Sequence, residues 1–332
     1  MPDNTFEEYL TYLTENAEVI RSMLYIPKDA AIRKILESEF DHHYHPLPEV
    51  KECENKIAAT DSSEYMKELY SGKKLFIYRA FTKYSGEIVS RSYTGIHSVD
   101  RYDVNRFNVM MMEDLEHLSI IDFLSERKCD FILVDGSLTG RINHPTRSLR
   151  AEGMENFPNI YHEHMKQMLS LSIRNRIPLV FVAKSSESTL FTRYLLEQLG
   201  HSEMVVNVTD HLLIRSLATF PGYSSPVRGQ YVTSDEEPVS IETLHILPHM
   251  SDTPMKVDIF GDGNEYTRSE ILNALVWGYS GLKVHNIWLS DVDYSVKFRK
   301  SEMASTYLKE FEKISGQPFY ETRGERRERL RI

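Results

Sequence analysis

Asp135 closes the stretch Phe131-Ile132-Leu133-Val134-Asp135-Gly136-Ser137-Leu138, in which four apolar, mostly β-favouring residues run into Asp-Gly-Ser. The run is too short for a helix and ends in a turn former, so it predicts a buried strand with a carboxylate at its mouth. Gly136 permits a sharp turn because it tolerates positive φ. Ligand sites in open α/β sheets cluster at such strand ends. Lys56-Ile57-Ala58-Ala59-Thr60-Asp61-Ser62-Ser63 repeats the pattern, a short β-like run expected to end in Asp61. Between the two, a helix predicted over 105–127 carries Glu113 and Glu116, three apart and so on one face. Carboxylates suit hard cations such as Mg²⁺ and Mn²⁺. Clustered acids repel and are held together mainly where a cation neutralises them. Such sites polarise a phosphoryl oxygen and generate hydroxide from bound water. His285 adds a softer nitrogen that favours Mn²⁺, or a general acid or base. The plainer alternatives are a turn former or helix N-cap for Asp135 and a solvated acidic face for Glu113 and Glu116.

The elements that must hold these residues follow from periodicity. Residues 5–40 read as helix broken at Pro27, with Phe6, Tyr9, Leu10 and Leu13 in an i, i+3, i+4, i+7 stripe. Asp41-His42-His43-Tyr44-His45-Pro46 is expected as a surface loop; its three His lack a fixed geometry for a metal. Lys74–Phe81 and Glu87–Ser98 extend the first strand into an antiparallel meander, turning at Ser85-Gly86. After the 105–127 helix and the Asp135 strand come a loop from Gly140 to Gly153 and a helix from Tyr161 to Asn175. The strand Ile177–Ala183 closes on Lys184-Ser185-Ser186, and helices follow at Leu190–Leu199 and His211–Leu217, the second capped by Thr209-Asp210. Strands at Thr243–Leu247 and Met255–Phe260 and a helix at Arg268–Trp277 precede Gly278-Tyr279-Ser280-Gly281-Leu282-Lys283-Val284-His285. Strands first, then alternating strand and helix, predict one α/β domain with decorations.

Composition narrows the function. The chain has 332 residues, 41% hydrophobic and 27% charged, with a net charge of −10. A nucleic-acid partner therefore needs a local basic surface, or the acid is concentrated at a metal site. Cys53 and Cys129 form neither a metal-ligand spacing nor a disulfide framework, which suits a reducing cytoplasm. No run reaches the ~18 apolar residues of a membrane span, and Met1-Pro2-Asp3-Asn4 opens a polar segment unlike a signal peptide. No GxxxxGK[ST] is present, so no P-loop ATPase activity is expected, and GxGxxG after a strand, GxSxG and HExxH are also absent. Ser137 has no His-bearing motif to serve as its base.

From about Ile57 to His285 the chain resembles the NurA family of prokaryotic nucleases, which work with the HerA hexameric ATPase. Asp135-Gly136-Ser137-Leu138 matches the family's most recognisable motif, and Asp61 within Ala58-Ala59-Thr60-Asp61-Ser62-Ser63 its first acidic motif. Glu116 matches the acidic residue on the upstream helix, with Glu113 competing for that place. Lys184-Ser185 resembles the lysine-bearing segment, and Gly278-Tyr279 with His285 the C-terminal Tyr and His motif. Ser62 stands where Gly is usual, and Ser280 where Pro is common. The resemblance implies an α/β, RNase H-like core with a mixed central sheet flanked by helices. It implies a helical segment over 1–50, a nuclease domain over 51–300, and a C-terminal helix with a basic tail over 301–332.

The resemblance also implies a Mn²⁺-dependent deoxyribonuclease, with Mg²⁺ as the alternative metal. Its activity would be 5′–3′ exonuclease and single-strand endonuclease in DNA end resection. Its partners would be DNA, a HerA-type hexameric ATPase and a second copy of itself as a homodimer, in the cytoplasm and away from any membrane. Asp61, Glu116, Asp135 and His285 would hold metal, Tyr279 would join them as catalytic, and Lys184 would contact DNA. Competing readings are a catalytically weak scaffold docked on a translocase, or a metal-dependent phosphoesterase of small substrates.

Overall fold

Three buried parallel strands form the spine of a mixed sheet, because their residues are apolar on both faces. They are β2 (Ile57–Glu68), β5 (Phe131–Asp135) and β6 (Leu179–Ala183). The computed structural model describes residues 4–27, 30–145, 147–204, 207–232, 238–261 and 265–318. The basic tail expected from Arg323 to Ile332 lies outside them.

The chain starts with α1 (Thr5–Glu15), α2 (Ala17–Leu24) and α3 (Ala31–His43). The helical stretch expected over 5–40 is broken near Pro27 as expected and once more at Asn16, which makes three helices. Neither α1 nor α2 buries a residue: Phe6 is 67% exposed and Tyr9 54%. The apolar stripe of α1 faces away from its own core. α3 packs Leu36 and Phe40 inward and runs on to His43, and β1 (Tyr44–Pro46) pairs with a later strand. The 41–46 stretch is thus a helix end and an edge strand rather than a loop. Its imidazoles are spent locally, His43 and His45 on Ser225 Oγ at 3.3 and 2.9 Å and His42 beside Glu39.

β2, β3 (Lys74–Tyr84) and β4 (Glu87–His97) form the expected antiparallel meander. Ser85 and Gly86 turn it with φ of 50° and 84°, the positive pair that a two-residue hairpin of this hand requires. β2 continues to Glu68, so Asp61 lies mid-strand, not at a strand end. β2 loses β5 as a partner after Thr60 but keeps β3 as far as Glu68. The meander prolongs it where the parallel spine stops.

α4 (Val104–Glu126) crosses the meander and packs against α6 (Phe157–Asn175) over one face of the sheet, around Ile120, Phe123, Val134, Met165 and Leu169. α5 (Leu138–Ile142) is a short helix that runs into the stretch expected as loop from Gly140. α6 starts four residues earlier than the periodicity implied, with Pro158 in its first turn, where a missing N–H costs nothing. α7 (Leu190–Gln198) and α8 (Asp210–Leu217) join α3 in a third apolar cluster. β7 (Gly222–Ser224), β8 (Val227–Val232), β9 (Pro238–Leu247) and β10 (Met255–Phe260) complete the sheet. The strand order is β1-β7-β9-β10-β6-β5-β2-β3-β4, with β8 also on β9.

α9 (Glu265–Trp277) and α10 (Ile287–Val296) cover the other face, burying Ile271, Leu275, Leu289 and Val292 on Leu133, Val182 and Val257. α10 escaped the periodicity reading, although Asn286 caps it by accepting from Trp288 and Leu289 N–H, and Leu289, Val292 and Val296 form its buried stripe. α11 (Lys300–Glu302), a π-helical turn at Met303–Tyr307 and α12 (Leu308–Ser315) end the described chain. No described helix is long and apolar enough to cross a membrane.

Candidate active site

Parallel register brings the first two acids together. Thr60 of β2 pairs with Val134 of β5, so the next residue on each strand, Asp61 and Asp135, stand side by side. Asp135 is the last residue of its strand, and Gly136 turns the chain away at φ +102°. Only a residue without Cβ takes that conformation cheaply. Behind the turn, Ser137 Oγ accepts the Gly140 N–H, capping α5.

The turn rests on a buried ion pair that the motif reading did not anticipate. Lys256 Nζ lies 2.8 Å from Asp258 Oδ2 and donates to the hydroxyls of Ser137, at 2.9 Å, and Thr139. Asp258 Oδ2 accepts from Ser137 Oγ at 3.0 Å and Thr139 N–H at 3.2 Å, while Oδ1 accepts from Thr243 at 2.7 Å. Lys256 is 2% and Asp258 0% exposed. The signal for this pair was visible in Met255-Lys256-Val257-Asp258-Ile259-Phe260, where two charges interrupt a core strand.

Glu116 approaches from α4. Its Oε1 accepts from Ser62 Oγ and its Oε2 from Arg141 Nη2, both in short contacts. Arg141, 1% exposed, also donates to the Asp135 carbonyl at 2.9 Å and so ties α4 to the end of β5. Glu113 turns elsewhere, accepting from Tyr161 OH at 2.6 Å and pairing with His144 at 2.9 Å. Arg141 and His144 hold its carboxyl below the usual range against the pull of burial. Of the two helical acids, Glu116 is the one that meets Asp61.

Asp61 is pushed up to about 8, by burial first and then by the charges of Glu116 and Asp135, with Asp293 of α10 adding to them. That shift records carboxylates crowded without enough positive charge. Asp293 was not among the sequence candidates because α10 was not. Lys297, just past α10, pairs with Asp293 at 2.9 Å, and Asp61 and Asp135 help raise its ammonium. Lys184 at the end of β6 reaches Asp135 Oδ2 at 2.9 Å.

The Gly278–His285 loop closes on itself through Ser280 N–H to Val284 O at 2.9 Å. Gly278 is required there, since a Cβ would meet Trp288 at 2.7 Å and Asn286 at 2.9 Å. His285 is half-buried, Nε2 has no hydrogen-bond partner, and it feels Lys184, Asp135, Asp252 and Asp293. Burial holds its imidazole below the usual range. Tyr279 donates to Asp252 Oδ2 at 2.9 Å, and burial and that carboxylate raise its hydroxyl to about 12. The structure thus groups Asp61, Glu116, Asp135, Lys184 and His285, and joins Tyr279 to them through Asp252.

Among the described residues no three His, Cys, Asp or Glu side chains converge in a ready-made metal geometry. The donor set still suits a hard divalent cation: crowded carboxylate oxygens, one elevated carboxyl and an unpartnered imidazole nitrogen.

A NurA domain family model matches residues 55–298. No curated protein matches the sequence. The structure is similar to that of the NurA nuclease from Sulfolobus solfataricus, with TM-score 0.70 and 14% identity over 95% of this chain and 98% of that one. A NurA structure with manganese aligns at TM-score 0.56 and 14% identity, covering 92% and 97%. Another, bound to dAMP and manganese, aligns at 0.55 and 14%, covering 91% and 96%. At such identity the structural likeness establishes the fold, a mixed sheet flanked by helices. Because the family model spans most of its length, the chain belongs to the NurA family.

Proposed function

We propose that this chain is a metal-dependent DNA nuclease. The observation that carries the reading is the side-by-side placement of Asp61 and Asp135 beside Glu116, in a family whose solved members include structures with manganese and dAMP. Asp61, Glu116 and Asp135 would hold a Mn²⁺ or Mg²⁺ ion, with His285 Nε2 as the nitrogen ligand. A cation bound there would polarise the scissile phosphoryl oxygen and lower the pKa of an attacking water. Ser62 and Arg141 orient the Glu116 carboxylate and offset part of the burial that raises its pKa. Lys184 would leave Asp135 for a phosphate of the substrate, since its ion pair is half-exposed and weak. Tyr279 would orient the His285 loop through Asp252 or touch the DNA.

The reading includes 5′–3′ exonuclease and single-strand endonuclease activity in end resection with a HerA-type ATPase, as a cytoplasmic homodimer. The exposed apolar stripe of α1 is the candidate docking surface. The division into a helical segment to residue 50, a catalytic domain to 300 and a terminal helix is part of the same proposal. Linear DNA and a small phosphoester, assayed side by side with Mn²⁺, Ca²⁺ and EDTA, test it. DNA cleavage with Mn²⁺, little with Ca²⁺ and none in EDTA is expected. Cleavage of only the small ester would make the chain a phosphoesterase, and no cleavage of either would make it a scaffold. Light scattering with and without the cognate ATPase tests assembly; a monomer that ignores the ATPase would refute that part.

A further inference from the structure

The strand order ends on two unlike edges. At one end β1 spans three residues and closes on Pro46, which has no N–H to donate to a further strand. At the other end β4 runs for 11 residues and pairs with β3 residue for residue from Glu87 to His97, without a bulge. Among the described residues no strand pairs with its outer side. Its outward N–H and C=O groups are therefore a template for another strand. Long edges are usually blunted by Lys, Pro or a bulge, and β4 has none of these. Its central cation, Arg91, is turned to Asp122 of α4 at 2.7 Å.

Side chains alternate along a strand, so Arg91 and its odd-numbered neighbours face α4 and the even-numbered residues face away from it. These are Ile88, Ser90, Ser92, Thr94 and Ile96, all exposed, the two isoleucines at 43% and 45%. Their chemistry reads the same in both directions from Ser92: a hydroxyl on either side, then an isoleucine. A strand that adds to its own copy pairs antiparallel about a two-fold axis, each patch meeting itself. Centred on Ser92, that pairing sets Ile88 against the partner subunit's Ile96, Ser90 against the partner's Thr94, and Ser92 against the partner's Ser92. A slip of two residues either way breaks both Ile pairs. Such same-face pairs are the units that stabilise a sheet.

We infer that β4 is the seam between two copies of this chain, joined antiparallel about Ser92 into one continuous sheet. The inference rests on the homodimer proposed above for the presence of a second copy and adds where the copies meet. It also places the two sites. Asp61 pairs with Phe81 and Phe81 with Ser90, so Asp61 lies on the same face of the sheet as the isoleucines. The two-fold axis stands upright on the sheet, so both Asp61 carboxyls lie on that one face. They are five strand spacings apart, about 24 Å across the strands.

Mild oxidation of the full chain at micromolar concentration, read by non-reducing electrophoresis, tests the register. Ser92→Cys should cross-link into a dimer, because opposite residues of antiparallel strands have Cα atoms about 4.5–5.5 Å apart, within the reach of a disulfide. Thr94→Cys should not, because the axis sets its two copies four positions apart, about 14 Å along the strands. In light scattering Ile88→Lys, at an exposed position that leaves the core untouched, should raise the dimer dissociation constant about tenfold or more, since symmetry removes an Ile pair twice. A dimeric wild type whose Ser92→Cys variant fails to cross-link, and which Ile88→Lys leaves intact, would overturn the seam and leave the homodimer standing. Thr94→Cys cross-linking as strongly as Ser92→Cys would overturn the seam as well. A wild type that is monomeric at micromolar concentration would refute the homodimer, and the seam with it.

Discussion

The Lys256–Asp258 pair lends itself to a quantitative test because it is wholly buried and touches the turn that carries Asp135. Taking one partner away leaves the other charged and without its counterion in a dry interior. Such losses cost about 3–5 kcal/mol. Lys256→Met should therefore destabilise the chain by about that amount, since Asp258, at 0% exposure, keeps only the neutral donors of Ser137, Thr139 and Thr243. Asp258→Leu should cost a similar amount. Replacing both removes the buried charges together, and such swaps are often neutral. Here the swap still strips the Thr139 N–H and the Thr243 hydroxyl of their acceptor, so a residual cost of about 1–3 kcal/mol is expected. Urea unfolding of the wild type, both single variants and the double variant gives the coupling energy, expected at about 3 kcal/mol or more. The double variant should fold yet cleave DNA poorly, because the Ser137–Thr139 turn has lost its anchor. Additive single effects, or full cleavage by the double variant, would refute the reasoning.

Three further perturbations follow from the same geometry. Arg141→Met should destabilise by about 3–5 kcal/mol, since Glu116 would keep only Ser62 and Glu113 would lose a cation; adding Glu116→Gln should restore part of the loss, and urea titration shows whether it does. His245 is buried and held neutral down to about 4, whereas an unfolded imidazole takes its proton near 6.5. Between those values the unfolded chain binds more protons, so stability falls as pH drops through the window, by about 3 kcal/mol at its lower end. His245→Leu should flatten that slope in urea melts at graded pH, and a curve parallel to wild type would disprove the assignment. Lys184→Ala breaks a half-exposed ion pair worth under about 1 kcal/mol, so it should leave the melting temperature almost unchanged while raising KM for DNA more than it lowers kcat.

The parts of the fold written in local pattern were readable. Phe131–Val134 announced a buried strand, Gly136 its turn and Ser85-Gly86 the hairpin, because each depends on near neighbours. Asp61 was misplaced for a physical reason: where β2 ends is decided by β3, whose pairing lies beyond the local window, and not by the residues after Asp61. The break near Pro27 was legible and the one at Asn16 was not, since α1 and α2 bury nothing that would mark it and the stripe of α1 serves no core in this chain. α10 was overlooked because its ten residues look like a loosely alternating strand until Asn286 is read as a cap. Asp293 and Lys297 were lost with it. Arg141 and Lys256 carry no motif at all; only the fold shows that they lie behind Glu116 and the Asp135 turn. Lys256 leaves a weak trace, a charge inside an otherwise apolar stretch; Arg141, in Leu138-Thr139-Gly140-Arg141-Ile142-Asn143, leaves none.

The central claim is that carboxylates at the ends of the parallel spine cleave DNA with a divalent cation. Single-turnover cleavage of end-labelled linear DNA in Mn²⁺, by wild type and by Asp135→Ala, tests it most directly. Asp135 is partly exposed, and its ion pair with Lys184 contributes little to stability, so the variant should unfold within about 1 kcal/mol of wild type. Loss of a ligand to a cation worth several kcal/mol in the transition state should slow cleavage by about a thousandfold or more. A folded Asp135→Ala chain that cleaves at the wild-type rate would contradict the account.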